Sequence, residues 1–261
     1  MSRFRALQNY LRYYISASTK HDIHSPFVFE LLTNVISDRR PNPAYSEIED
    51  LRKMLLKSRR EIDVLDLGAG SAQLTGNRRL IGNIASVSAK SPKYGQLLYR
   101  LCARIQPANI LELGTSLGIS TIYLSAACPT ARITTIEGCP EIADQARAHF
   151  SRFPALPITL LEGPFRDNLP RFFSENPVVD LVFFDGDHKE SATLEYFETC
   201  LKHIHSQTVF IFDDIHWTPG MERAWTAVQQ HPAVSLTIDL HQMGLVFFRT
   251  GAEKQHFTIR F

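Results

Sequence analysis

Residues 110–120 read ILELGTSLGIS, and an earlier stretch, residues 64–74, reads VLDLGAGSAQL. Both are apolar, strand-like runs that end in an acid and two glycines. An α/β domain places one such loop between a strand and a helix, where the free N–H groups of the first turn can face a ligand. The residues downstream of each run therefore decide which run organises the fold. A binding loop needs a strand entering, a helix leaving, and a second strand that ends in an acid about 20 residues on. The later run meets these conditions: Ile110–Leu113 is the strand, Gly114 makes the turn, Gly118 lets the helix pack closely, and ARITTIEG delivers Glu137 at the tip of the next strand. The earlier run does not. QLTGNRRL carries no apolar helical stripe, and IGNIASVSAKSP ends in no carboxylate at the required distance. Ile62–Leu67 is read as a short strand or extended segment, and Gly68 and Gly70 as a turn that folds over the cleft or joins a subunit contact. Asp66 and Ser71 are not assigned to the binding loop.

Working outward, a helix is expected over Pro92–Ile105, followed by alternating strands and helices. Strands are expected at Ile110–Leu113, Arg132–Ile136, Ile158–Leu161, Asp180–Phe184, Thr208–Phe212, Ser235–Asp239 and Leu245–Arg249, with helices between the first six. Only LHQMG separates the last two, too short for a crossover helix, so they form an antiparallel hairpin. The fold class is α/β: a Rossmann-like, seven-stranded, mostly parallel sheet with a reversed last strand, plus an N-terminal helical region. That region shows apolar recurrence at three and four in RALQNYLRYYI, PFVFELLTNVI and SEIEDLRKMLL, with Ser25 as N-cap and Pro26 at the first helical position. His21 and His24 are read as turn and capping residues. Residues 1–90 are taken as an N-terminal helical cap or interface region, and 91–261 as the ligand-binding domain.

The chain has 261 residues, 44% hydrophobic and 21% charged, with a formal net charge of +1. That balance supplies no basic field for phosphates, which argues against nucleic acid as a partner. Arg3, Arg5 and Arg12 interrupt the first apolar residues, so neither a signal peptide nor a membrane span is expected, and a cytoplasmic location is inferred. Cys102, Cys128, Cys139 and Cys200 are scattered without a CxxC pair and are read as reduced structural residues.

Glu112-Leu-Gly114-Thr-Ser-Leu-Gly118-Ile-Ser120 resembles the first motif of class I S-adenosylmethionine-dependent methyltransferases. It is most similar to the catechol and caffeoyl-CoA O-methyltransferase branch, where glycine, three residues and a second glycine are usual. The broader superfamily often has a middle glycine where this chain has Ser116. The resemblance runs from about Ser91 to Arg249 through ELGTSLGIS, IEG, LLEGPF, FFDGDH and FDDIHW. It implies that Glu112, Gly114, Thr115, Ser116, Gly118 and Ser120 contact S-adenosyl-L-methionine and that Glu137 binds the ribose. Gly163, Pro164 and Phe165 would lie against the adenine, and Asp185 would also touch the cofactor. Phe165 read by itself is equally a core residue.

Two strands then end in acids, VVDLVFFDGDH and TVFIFDDIHW. Acids at the ends of buried strands are costly unless a cation, a ligand or water uses them. Asp185, Asp213 and Asp214 would form a set of hard oxygen donors suited to Mg²⁺, while water at the rim leaves a metal-free site open. The related enzymes have Asp-Asn where this chain has Asp213-Asp214. Their lysine base stands three residues beyond the first metal Asp; here that offset falls on His188, with Lys189 next. His188 and Asp185 are thus the catalytic candidates, and His216 and Trp217 candidates for shaping the acceptor pocket. The expected activity is O-methylation of a small-molecule hydroxyl, with a homodimer left open. A NAD(P)-dependent oxidoreductase, against which the missing GxGxxG counts, and a non-catalytic cofactor-binding regulator or scaffold are the alternatives.

Overall fold

The computed structural model describes residues 3–20, 22–65, 77–251 and 253–261. Most of VLDLGAGSAQL, including Asp66, Gly68, Gly70 and Ser71, lies outside the described residues, as does His21.

In chain order the elements begin with α1 (Arg3–Ser16), α2 (Pro26–Leu31, continued by a π-helical turn over Leu32–Ile36) and α3 (Pro43–Leu56). Next come β1 (Glu61–Asp63), β2 (Arg78–Leu80), α4 (Ile81–Ser88), α5 (Pro92–Ile105) and β3 (Asn109–Leu113). The alternation continues as α6 (Ile119–Ala127), β4 (Arg132–Glu137), α7 (Pro140–Phe150), β5 (Ile158–Glu162), α8 (Phe165–Glu175) and β6 (Leu181–Phe184). It ends with α9 (Glu190–Leu201), β7 (Val209–Asp213), α10 (Pro219–Gln230), β8 (Leu236–Asp239), β9 (Met243–Phe247) and β10 (Gln255–Thr258).

The main sheet has eight strands rather than the seven expected. The expected antiparallel hairpin is present as β8 and β9, with Leu236 opposite Phe247 and Asp239 opposite Gly244. The extra strand is β10, which pairs in parallel with β8 from Gln255–Leu236 to Thr258–Asp239. QHFT shows no apolar alternation, because an edge strand buries little and its pairing is made by the backbone. In the N-terminal region the short strand expected at Ile62–Leu67 begins as β1, and β2 and α4 were not expected. β1 and β2 form an antiparallel ribbon, and IGNIASVS is helix α4, with Ile81, Gly82, Ile84 and Ala85 buried. Eight residues give too few turns for a helical period to stand out from the sequence. Ser25 occupies the N-cap position of α2, yet its hydroxyl makes no capping bond; Asn42 caps α3 instead, accepting from Ala44 N–H at 2.9 Å.

The chain condenses into two compact units, a terminal one (Met1–Asp38 with Pro177–Phe261) and a central one (Arg39–Asn176). In the central unit β3 pairs in parallel with β4, and β4 with β5. Its core joins Ile48, Leu51 and Leu55 of α3 and Ile84 of α4 to Ile119, Ile122 and Tyr123 of α6. The helix that leaves the glycine loop is thus packed by the N-terminal helices. In the terminal unit β6 and β7 are parallel, and β9 runs antiparallel to both β7 and β8. Phe183, Phe210, Phe212 and Phe197 are fully buried there, with Phe184 stacked on Phe212 at 4.3 Å. Strands covered on both faces read as unbroken apolar runs, which is why LVFF and VFIF are so uniform.

Candidate active site

The glycine loop of the central unit runs from the end of β3 into α6. Gly114, Ser116 and Gly118 all have positive φ, at 104°, 47° and 84°. Gly118 is the position where only glycine fits: a Cβ there would lie 2.5 Å from the Phe150 ring. The loop hangs on the tip of β4. Gly114 N–H and Thr115 N–H both donate to the Ile136 carbonyl, at 3.1 and 3.2 Å, and the Thr115 and Thr135 hydroxyls meet at 2.6 Å. Glu137 closes the arrangement: one carboxylate oxygen accepts from Ser116 N–H at 2.8 Å and the other from Cys139 N–H at 3.0 Å. The acid at the end of the second strand is therefore bound to the loop itself.

Glu112, the last acid of β3, is fully buried. Burial pushes its carboxyl above the usual carboxylate range, against neighbouring hydroxyls and Lys90, which hold it down. One oxygen accepts from Thr121 and from Thr135, the latter at 2.6 Å. The other oxygen is buried with no hydrogen-bond partner among the described residues, an acceptor awaiting a donor. Ser120, beside Thr121 in the first turn of α6, is also buried. The turn after β5 adds Gly163, with φ 116°, whose N–H donates to the Glu137 carbonyl at 2.9 Å. Pro164 precedes α8, and Phe165 opens it half-buried. Two contributors to this region escaped the sequence reading. Ser88 touches Ser116 hydroxyl to hydroxyl at 2.7 Å, and His149 meets the Leu117 carbonyl through Nδ1 at 2.9 Å. Ser88 ends a helix too short to be foreseen, and a lone histidine in QARAHF carries no signal of its own.

In the terminal unit the acids after β6 and β7 gather at one point. Asp185, His188 and Asp213 each offer a ligand atom within 4.8 Å of the others, and His188 Nε2 lies 3.8 Å from Asp185 Oδ1. Two carboxylates and an imidazole suit a divalent cation. Asp214, expected as a third carboxylate donor, does not join this group among the described residues; its backbone turns away at φ 53°. His188, expected as a base, lies beside the two carboxylates instead. Lys189 pairs with Asp187 at 3.3 Å, and Trp217 stands edge-on to the His188 ring, 5.6 Å between centroids. His216 bonds Asp239 at 2.7 Å.

A family described as a methyltransferase domain matches residues 111–215, from β3 to just past β7. Curated relatives of the chain include a catechol O-methyltransferase of Niastella koreensis, 34% identical over 133 residues, and one of Mycobacterium tuberculosis, 32% identical over 129 residues. The matches cover 50% and 49% of this chain and 58% and 57% of those proteins, so the chain spans little more than half of each relative's length. Among solved structures, the O-methyltransferase from Bacillus cereus in complex with SAH has a TM-score of 0.57 at 21% identity, covering 85% of this chain and 97% of that one. TomG from Streptomyces achromogenes, an O-methyltransferase in complex with SAM, has a TM-score of 0.57 at 20% identity, covering 85% and 95%. These likenesses show an α/β, Rossmann-like fold shared with those O-methyltransferases. Among the described residues no helix is long and apolar enough to cross a membrane.

Proposed function

We propose that the protein transfers a methyl group from S-adenosylmethionine to a hydroxyl of a small molecule. The observation that carries this reading is the bond between Glu137 and the glycine loop, inside the segment that matches the methyltransferase domain. A carboxylate anchored there by two N–H groups, at the end of the second strand, is of the acceptor type that binds a ribose diol. Gly114, Thr115, Ser116, Gly118 and Ser120 line the cofactor, Glu112 offers a buried oxygen to a donor on it, and Gly163, Pro164 and Phe165 border the adenine.

Asp185, Asp213 and His188 serve the acceptor. When bound, a divalent cation supplies a lowered hydroxyl pKa and a fixed direction for the oxygen. Asp185 and Asp213 would hold the cation, and His188 beside them would take the hydroxyl proton, a role suited to an imidazole. The oxygen lone pair then forms the new O–C bond while the C–S electrons return to sulfur, an in-line displacement that depends on alignment. Asp214 is left as a neighbour of the site. Catechol with magnesium is the first acceptor to try, given the curated relatives.

Calorimetry with S-adenosylhomocysteine and transfer of labelled methyl to catechol test the reading together. Binding of the product cofactor and magnesium-dependent labelling are expected. A well-folded protein that binds neither S-adenosylmethionine nor S-adenosylhomocysteine would overturn it.

A further inference from the structure

The terminal unit holds a second set of acids and histidines to which methyl transfer assigns no part. His216 Nε2 lies 2.7 Å from Asp239 Oδ2, and its Nδ1 lies 3.9 Å from Glu222 Oε1. Both carboxylates are themselves held. Glu222 accepts from the Asn9 amide of α1 at 2.7 Å, and Asp239 accepts through its other oxygen from His241 N–H at 2.7 Å. The His241 ring stacks on that of His216, 5.9 Å between centroids. His216 is thus gripped by α10, the end of β8 and the β8–β9 turn, with α1 behind the first.

The loop that carries His216 begins directly after Asp213. Asp214 adopts φ 53°, a left-handed conformation uncommon for residues other than glycine, asparagine and aspartate, and it turns the chain directly after β7. Trp217 N–H donates to the Asp214 carbonyl at 2.9 Å, and Thr218 ends the loop by capping α10, its hydroxyl accepting from Met221 N–H at 3.1 Å. Trp217, the residue after His216, presents its ring to His188 at 82° between ring planes. A displacement of the loop would therefore move the indole that backs the candidate base.

We propose that His216 is a positioning residue: held between Asp239 and Glu222, it fixes the loop so that Trp217 keeps the His188 ring beside Asp185 and Asp213. The kinetic consequence rests on the methyl-transfer reading; the structural consequence does not. A misplacement of a reacting group by about an ångström can lower turnover by about a hundredfold.

The chain has two tryptophans, Trp217 and Trp225, so fluorotryptophan labelling gives two fluorine resonances, assigned with Trp217→Phe. In His216→Ala the Trp217 resonance should shift and broaden while that of Trp225 stays in place. Turnover with catechol should fall about ten- to a hundredfold, with KM for S-adenosylmethionine within about twofold. His216→Gln, whose amide can still donate to Asp239, should restore both readouts toward wild type, and Asp239→Asn should resemble it. An unmoved Trp217 resonance in a folded His216→Ala protein would overturn the proposal. Should His216→Ala fail to fold, Asp239→Ala decides the same point by the same resonance: movement supports the proposal and its absence overturns it. A wild-type protein that moves no methyl group would sink the methyl-transfer reading and leave the fluorine result standing.

Discussion

At the scale of single residues, Glu137 and His188 separate binding from chemistry. Glu137 holds the loop through Ser116 N–H and is the residue proposed to bind the ribose, so Glu137→Ala removes charge-assisted hydrogen bonds of about 1.5–3 kcal/mol. S-adenosylhomocysteine should bind about ten- to a hundredfold more weakly by calorimetry. His188→Ala should leave that affinity within about twofold and remove most of the labelled transfer. His149 gives a pH signature. Burial outweighs the Leu117 carbonyl and holds this imidazole below the usual histidine range. A histidine whose folded pKa is lowered contributes stability that is fully present above its unfolded pKa of about 6.5 and is lost as pH falls through that region. The melting temperature of His149→Gln should therefore drop less than that of wild type between about pH 8 and about pH 5.

At the scale of elements, two close approaches set how helices meet the sheet strands of their own unit. Gly118→Ala meets both a positive φ and the Phe150 ring at 2.5 Å, so a loss of about 2–4 kcal/mol is expected in denaturant melts. Phe150→Leu in the same chain should relieve only the clash and recover part of that loss. In β9, a Cβ on Gly244 would meet the Trp225 ring at 2.6 Å, with no strained φ to add. Gly244→Ala should accordingly cost about 1–3 kcal/mol, through packing alone. The elements also show what can be read from one dimension. β3, β4, β6 and β7 were legible because each is an apolar run closed by a chemically distinct residue, while α4 and β10 were not, because one is too short for its period and the other too exposed for a pattern. The acids at the strand tips were legible for the same reason as the strands. That His188 and not Asp214 joins Asp185 and Asp213 was not legible, since it depends on a backbone turn at Asp214.

At the scale of the whole molecule, the terminal unit is assembled from both ends of the chain. Tyr13 of α1 donates its hydroxyl to the Ile259 carbonyl at 2.5 Å and accepts from Phe261 N–H at 2.9 Å. Ser18 N–H donates to the Thr258 carbonyl at 2.8 Å. Burial pushes the Tyr13 phenol up to about 12, so it stays a neutral donor across the working pH range. Ending the chain at Thr250 removes β10 and all three contacts. Each hydrogen bond is worth about 1 kcal/mol, and a domain of this size loses about 2–4 °C per kcal/mol, so these three bonds alone lower calorimetric melting by about 6–12 °C, and the lost pairing of β10 with β8 adds to that.

The sequence by itself determined the succession of strands from β3 to β9, the strand, turn and helix start of ILELGTSLGIS, and Glu137 as the acid that ends the next strand. These depend on local periodicity and on spacing, which a linear chain records directly. Only the tertiary structure decided that Ser88 reaches the loop, that His188 completes the carboxylate cluster, and that His216 is gripped from three elements. Contacts of that kind join residues far apart in the chain, and their partners are chosen by how helices and strands pack rather than by any pattern in the residues beside them.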